Sequence, residues 1–306
     1  MLQDETRQAS RAEAKEIMTD NAPPHTLWRE CLSEAIGTFI LVLFGVGAVH
    51  AAVLTGAQGG LWQVAVVWGV GIALAIYATG AISGAHINPA MTLAFAAYRR
   101  FPLVKVGPYI LSQVVGAFIG AAVLYALFGG ILGQFEAGHG LTRGSPGSEL
   151  SAMAYGEYFP NPSMVPGQFK SVEVVSFSAA MLAEGLGTSM LAFFVFVVTD
   201  RHKPGRSGGT MSALFIGLAV AIIISILAPL TQAGLNPARD FGPRLFAYFA
   251  GWGSVAIPGP RGGFFTVYIL APVLGALVGA GCYQLLLHPA MRTMAQRSNV
   301  EQQGES

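Results

Sequence analysis

Long apolar stretches alternate with short polar segments along the chain. A helix needs about 20 apolar residues to cross the hydrocarbon core of a bilayer, and six stretches reach that length: 27–54, 61–80, 105–128, 174–199, 211–230 and 264–287. Two further apolar segments, 88–98 and 236–249, are too short to cross. At about 1.5 Å per residue they reach roughly half the thickness of the core, which predicts re-entrant half-helices. Backbone that turns at this depth must be buried in protein or line a wet cavity.

The pattern predicts one membrane domain between two polar tails. We expect a cytoplasmic tail at 1–26, the membrane domain at 27–287 and a second cytoplasmic tail at 288–306. The membrane domain consists of a first repeat (27–128), an external loop rich in Gly and Pro (129–173) and a second repeat (174–287).

The distribution of basic residues predicts the orientation of the spans. With both ends in the cytoplasm, twelve Lys and Arg residues lie inside and three lie outside. Basic residues concentrate on the cytoplasmic side of membrane proteins. We therefore expect a multi-pass protein of the cell membrane (an inner or plasma membrane) with both termini cytoplasmic.

Composition agrees with a membrane protein and excludes several other classes. Hydrophobic residues make up 53% of the chain and charged residues only 11%, whereas a soluble domain carries about a quarter charged residues. The net charge of +1 gives no reason to expect a nucleic-acid partner. Cys31 and Cys282 have neither metal-site nor disulfide spacing. We expect no metal and no cofactor.

The two halves of the chain share two motifs in the same order. Glu-x-x-Gly-Thr begins at Glu34 and again at Glu184, and SGAHINPA (83–90) corresponds to TQAGLNPA (231–238). The distance from the Glu to the Asn of Asn-Pro-Ala is 54 residues in one half and 52 in the other. Each half has an odd number of spans, so the halves enter the membrane from opposite sides. The predicted fold is an all-α membrane protein with six transmembrane helices and two re-entrant half-helices in an inverted repeat.

Asn-Pro-Ala is a helix-start motif. Asn is a favoured N-cap and Pro is favoured at the first helical position, so ordinary capping without function is one interpretation. At membrane depth a second applies. The side-chain oxygen caps the helix, its amide hydrogens stay free to donate to a passing hydroxyl, and the two positive helix ends repel cations and protons. The motif residues are Asn88, Pro89, Ala90, Asn236, Pro237 and Ala238. The residues expected to present backbone carbonyls to a solute are Gly84, Ala85, His86, Gln232, Ala233 and Gly234.

A few charged residues fall inside the apolar segments. Arg239 lies in the first turn of the second half-helix, where a cation opposes the helix dipole and costs several kcal/mol, which suggests function. A salt bridge to Asp240 is the alternative, but adjacent helix residues do not face each other. Glu34 and Glu184 are proton relays or acceptors for backbone N–H groups of the re-entrant loops, and their repetition favours the second role. His86 has no ligand cluster around it and is expected to pack.

Together, SGAHINPA, LNPARDFGPR and the Glu-x-x-Gly-Thr repeat resemble the major intrinsic protein family, the aquaporins and glycerol facilitators, over about residues 27–287. The resemblance implies a homotetramer with one pore in each subunit. Asp240, which is assigned a supporting role, and Arg244 are similar to the residues of the glycerol branch at these positions. The long connections at 129–173 and 251–263 are also typical of that branch.

The resemblance places the selectivity filter of the family on Trp68, Ile224, Ala233 and Arg239. Trp68 and Arg239 match glycerol channels, whereas bacterial glycerol facilitators usually have Gly at the position of Ile224 and an aromatic residue at that of Ala233. The combination is similar to that of plant nodulin-like intrinsic proteins, which pass glycerol and small neutral metalloid hydroxides. Trp68 and Ile224 would give an apolar wall for a carbon chain, and Arg239 would donate hydrogen bonds to its hydroxyls.

The expected function is a passive channel, and not an enzyme, for glycerol and other small uncharged solutes. Water and urea or metalloid hydroxides are further expected solutes, and ions and protons are excluded. A water-selective aquaporin is one alternative. An ion-coupled secondary transporter is another, because such proteins also use inverted repeats and broken helices. The enzyme motifs H-E-x-x-H and G-x-S-x-G do not occur in the spans.

Overall fold

The computed structural model describes residues 26–163, 174–200 and 210–294, and within these ranges the regular structure is helical. The helices are α1 (Leu27–Thr55), α2 (Leu61–Ser83), α3 (Pro89–Tyr98), α4 (Leu103–Gly138), the one-turn α5 (Glu149–Ala152), α6 (Phe177–Val198), α7 (Thr210–Thr231) and α8 (Pro237–Ala247), followed by α9 (Thr266–Met294). Six of them, α1, α2, α4, α6, α7 and α9, are long and apolar enough to cross a membrane. The six predicted spans are confirmed. Of the predicted tails at 1–26 and 288–306, residues 1–25 and 295–306 lie outside the described residues.

The two short helices α3 and α8 have ten and eleven residues. Each begins at the Pro that follows an Asn cap, as capping preferences predict. The long helix α9 is α-helical over Ala271–Gly281 and has wider, π-type turns at Thr266–Leu270 and Cys282–Leu287.

The helices form two equivalent sets, each with the order long, long, short, long. Within the sets α1 packs on α4 and α6 packs on α9, and between the sets α2 packs on α7. Each short helix packs on the last long helix of the other set, α3 on α9 and α8 on α4. The sets therefore interlock, and this arrangement agrees with the predicted inverted repeat.

One close helix crossing occurs twice. A Cβ atom on Gly116 of α4 would lie 2.1 Å from the carbonyl oxygen of Ala35 on α1, and a Cβ atom on Gly275 of α9 would lie 2.0 Å from that of Gly185 on α6. Only glycine permits this approach of the two backbones. Ala35 and Gly185 each follow the repeated glutamate, so each glutamate lies beside the equivalent crossing of its own set.

Two helices run much further than the sequence predicts. The external loop is expected from residue 129, but α4 continues to Gly138. Gly129 and Gly130 suggest a break, yet glycine costs only about 1 kcal/mol in a helix, and contacts beyond them hold the extension. Leu132 is fully buried and the Glu136 carboxylate pairs with Arg143 at 2.7 Å. At the other end, α9 extends past the predicted limit at 287.

Candidate functional site

A cavity of about 650 Å³, the large cavity, lies between the two sets of helices. Its lining includes residues of α2, α7 and both short helices, and at one end Arg99. A second cavity of about 170 Å³ is bordered by loop residues including Asn161. Both cavities are lined by Trp68, Ile224 and Arg239. These three residues form the boundary between the cavities, here called the neck.

The side chains of Asn88 and Asn236 cap the two short helices. The Asn88 Oδ1 atom accepts a hydrogen bond from the Ala90 N–H at 2.9 Å, and the Asn236 Oδ1 atom accepts one from the Ala238 N–H at 3.0 Å. Both asparagines line the large cavity. The positive ends of α3 and α8 therefore meet at the lumen.

Each asparagine amide also donates a hydrogen bond across the repeat. The Asn88 Nδ2 atom donates to the Leu235 carbonyl at 3.0 Å, and the Asn236 Nδ2 atom donates to the Ile87 carbonyl at 2.7 Å. The expectation that both amide hydrogens stay free is therefore wrong for one hydrogen of each amide. The cause lies in the preceding residues, Ile87 and Leu235, whose left-handed backbone directs their carbonyls across the repeat.

Glu34 holds the segment that precedes α3. Its carboxylate is fully buried and accepts hydrogen bonds from the backbone N–H groups of His86 at 2.8 Å and Ile87 at 2.7 Å. The Gln113 side chain of α4 donates a third bond at 2.7 Å. His86 itself packs against Phe95 and other rings, with a ring-centroid distance of 4.6 Å.

Glu184 holds the segment that precedes α8 in the same way. It is fully buried and accepts bonds from the Gly234 N–H at 2.9 Å, the Leu235 N–H at 2.8 Å and the Thr231 hydroxyl at 2.6 Å. Both glutamates thus act as acceptors for the backbone amides of the re-entrant segments.

The two re-entrant segments contain several non-glycine residues with left-handed backbone. Such a conformation costs about 1–3 kcal/mol per residue and persists only where neighbouring groups fix it. The φ angles are 48° at Ala85, 42° at Ile87, 64° at Gln232, 57° at Ala233 and 56° at Leu235. Of the predicted carbonyl positions, those lining the large cavity are Gly84, Ala85, His86, Ala233 and Gly234. Gln232 lines the second cavity instead, and its side chain accepts a bond from the Tyr158 N–H at 2.9 Å.

The four residues expected to form the filter are close together. Trp68, Ile224, Ala233 and Arg239 are each no more than 5% exposed and all line the large cavity. The Arg239 guanidinium carbon lies 4.5 Å from the centroid of the Trp68 ring, within range for a cation–π contact. The neck is thus apolar on one side and carries N–H donors on the other.

Arg239 has a partner that the sequence reasoning missed. Its Nη2 atom forms an ion pair with the Glu157 carboxylate, and its Nη1 atom donates to the Tyr155 carbonyl at 3.3 Å. The alternative pairing of Arg239 with Asp240 is not formed, because Asp240 pairs with Arg244. A signal existed: an arginine buried this deeply requires a carboxylate, and Glu157 stands in the 129–173 loop among aromatic residues and prolines.

The Asp240–Arg244 pair holds Glu157 in place. Asp240 accepts a bond from the Glu157 N–H at 2.8 Å, and the Arg244 guanidinium donates to the Glu157 carbonyl and, at 2.8 Å, to that of Ala256. Burial raises the pKa of the Glu157 carboxyl well above its usual value, and Arg239 is the neighbour that most opposes this shift. The charge of Glu157 thus depends on its contact with Arg239.

Among the residues that the structure describes, no group of His, Cys, Asp and Glu side chains is placed to hold a metal ion.

Comparison with known proteins identifies the family. The sequence profile of the family described as Major intrinsic protein matches residues 22–283. The chain is 40% identical to the glycerol uptake facilitator protein of Pseudomonas aeruginosa over 285 residues, which cover 93% of this chain and 98% of that protein. It is 41% identical to the propanediol uptake facilitator PduF of Citrobacter freundii over 263 residues, 86% of this chain and 93% of that protein.

Among solved structures, the fold is similar to that of the aquaglyceroporin from Plasmodium falciparum. The TM-score is 0.74 at 25% sequence identity, and the match covers 88% of this chain and all of that one. The family profile covers most of the sequence, and the relatives match over nearly their whole lengths. This chain therefore belongs to the major intrinsic protein family.

Proposed function

We propose that this protein is a passive channel for glycerol and other small uncharged solutes. The observation that carries the proposal is the neck, where an apolar wall of Trp68 and Ile224 faces the N–H donors of Arg239. A polyol has a carbon chain on one side and hydroxyls on the other, so it satisfies both walls at once. The names of the relatives, facilitators of glycerol and of propanediol uptake, support the same class of solute.

Ions and protons are excluded by electrostatics. Each short helix carries roughly half a positive charge at its N-terminus, and the N-terminal caps of both line the lumen. A cation meets this potential after losing part of its hydration shell, whereas a neutral solute gains hydrogen bonds from the asparagine amides.

Two rival functions are less well supported. A water-selective pore usually adds a polar side chain at the neck, and Ile224 cannot supply one. An ion-coupled transporter needs a titrating group in the path, but Glu34 and Glu184 are engaged with backbone amides. We expect some water permeability together with solute flux.

The assembly and orientation belong to the same proposal. Six long helices, an even number, support a location of the N- and C-termini on the same side of the membrane. The excess of Lys and Arg residues on the side of the termini supports a cytoplasmic location for both. Family membership supports a homotetramer in the cell membrane with a pore in each subunit.

A solute panel tests the proposal. Purified protein in proteoliposomes is exposed to gradients of water, glycerol, urea and arsenous acid, and vesicle volume is followed by stopped-flow light scattering. We expect glycerol flux well above that of empty vesicles. Fast water movement without glycerol flux would support the water-selective alternative, and flux that follows a pH or sodium gradient would support the transporter.

A further inference from the structure

We infer that Gly45 of α1 is a specificity-determining residue: it seats the Trp68 indole against the helix backbone and thereby sets the width of the neck. The inference rests on the proposed function, because it concerns which solutes pass the same site. Gly45 carries no side chain and lies outside the Glu-x-x-Gly-Thr, SGAHINPA and LNPARDFGPR motifs.

The position of Gly45 follows from the face of α1 on which it lies. Leu41 lines the large cavity, and Val49 and Ala52 line the second cavity. Gly45 lies one helical turn from both Leu41 and Val49, so it shares the face that these residues present to the lumen. At its level the indole of Trp68 lies where a side chain would otherwise be.

The contact between Gly45 and the indole has no room for another atom. A Cβ on Gly45 would lie 2.1 Å from Cε3, 2.3 Å from Cδ2 and 2.3 Å from Cζ3 of Trp68. These are three consecutive ring atoms. If the added Cβ lay in the ring plane beyond the ring edge, it would be much closer to one of these three atoms than to the other two. Because the three distances are nearly equal, the added Cβ would lie over the face of the ring. Carbon atoms pack at about 3.5–4.0 Å, so the ring would have to move by more than about 1 Å.

The indole has one direction in which to move. The helix α1 cannot retreat, because near Gly45 its Val42 side chain already contacts Gly120 of α4, where an added methyl carbon would lie only 2.8 Å from the Val42 Cγ1 atom. Trp68 also borders both cavities, together with Arg239, whose guanidinium carbon lies 4.5 Å from the ring centroid and is held by Glu157 and the Tyr155 carbonyl. An indole displaced from Gly45 therefore enters the neck.

The consequence is a change in solute preference. A methyl group at position 45 narrows the neck without changing its polarity, so it obstructs a three-carbon polyol more than a water molecule. One methyl group in an apolar pocket discriminates by about 10- to 200-fold. We expect Gly45→Ala to lower the ratio of glycerol to water permeability by at least about tenfold.

The experiment compares purified full-length variants in proteoliposomes, with glycerol and water permeability measured on the same vesicles. Gly47→Ala is the matched control: it is on the same helix, and its added Cβ would meet only the Leu124 Cδ2 atom, at 3.3 Å. Trp68→Phe, alone and combined with Gly45→Ala, tests the mechanism, because the smaller ring leaves room for the methyl group. We expect the ratio to fall in Gly45→Ala, to stay at the wild-type value in Gly47→Ala, and to recover in the double variant.

The outcomes separate this inference from the proposed function. A wild-type protein that passes no glycerol contradicts the proposed function itself. A wild-type protein that does, with an unchanged ratio in Gly45→Ala, overturns the inference alone. If Gly45→Ala does not fold, the double variant decides: recovery of folding and flux supports the clash between methyl and indole, and a double variant as defective as Gly45→Ala refutes it.

Discussion

Replacing Glu184 by glutamine removes one carboxylate oxygen from the centre of the second re-entrant segment. In the native protein the two oxygens accept bonds from the N–H groups of Gly234 and Leu235 and from the Thr231 hydroxyl. Glutamine has a single acceptor oxygen, and its NH₂ group would face a backbone N–H. One buried donor is then left without an acceptor.

The size of the effect follows from the hydrogen bonds lost and the strain they hold. A buried donor left unpaired costs about 1–3 kcal/mol, and more when its lost acceptor was charged. The left-handed residues Gln232, Ala233 and Leu235 each carry about 1–3 kcal/mol of backbone strain. The cost of the unpaired donor and the backbone strain are of the same order. With one of its hydrogen bonds lost, the segment is therefore expected to leave the strained left-handed conformation. A relaxed state favoured by about 1.4 kcal/mol leaves roughly a tenth of the channels in the native conformation.

The assay is glycerol flux in proteoliposomes with equal amounts of wild type and Glu184→Gln. We expect flux to fall about tenfold or more while the protein remains folded in the membrane, because the long helices do not depend on this carboxylate. Glu149→Gln is the control: Glu149 also accepts a backbone bond, from the Gly147 N–H at 2.8 Å, but it lies in the 129–173 loop. Wild-type flux in Glu184→Gln would refute the supporting role. A flux that persists but no longer follows a pH gradient would identify Glu184 as a proton relay.

Three further substitutions test the neck and the lumen. Ala233→Phe places a ring in the large cavity and should lower glycerol flux in the same assay, whereas unchanged or higher flux would mean that Ala233 does not border the narrow part. Asn236→Asp keeps the cap but adds a negative charge where the positive helix ends meet. This charge would attract a cation 4 Å away by about 4 kcal/mol. It should therefore let cations leak, and a vesicle that still holds its pH gradient, followed by a trapped dye, would count against that electrostatic barrier. Glu157→Gln leaves Arg239 without its carboxylate, a change that costs about 3–5 kcal/mol for a buried pair, so the melting temperature of the purified protein should drop. An equal or higher melting temperature would show that the ion pair does not stabilise the fold.

The parts of the fold that could be predicted are those that local sequence determines. Apolar runs of sufficient length give the six long helices, and an Asn cap followed by Pro gives the first residue of each short one. The repeated Glu34 and Glu184 indicated acceptors for the re-entrant amides because equal spacing in two halves implies equal surroundings. The end of α4 was missed, because Gly129 and Gly130 suggest a break and only tertiary contacts keep the helix intact.

The parts of the site that could not be predicted depend on residues far apart in the sequence. The amides of Asn88 and Asn236 donate to carbonyls of the opposite repeat, and no local pattern encodes such a bond. Glu157 reaches Arg239 from a loop whose path is set by Asp240 and Arg244. No local pattern distinguishes Gly45 from the other glycines of α1, and only the tertiary structure shows that the Trp68 indole lies against it.

The most direct test of a passage restricted to neutral molecules is the current that accompanies solute flux. The purified protein is incorporated into a planar bilayer or vesicles, a glycerol gradient is imposed, and glycerol flux and membrane current are recorded together. The meeting of two positive helix ends at the lumen predicts rapid glycerol flux with no current above that of the protein-free membrane. A current that rises and falls with the glycerol flux would contradict this account.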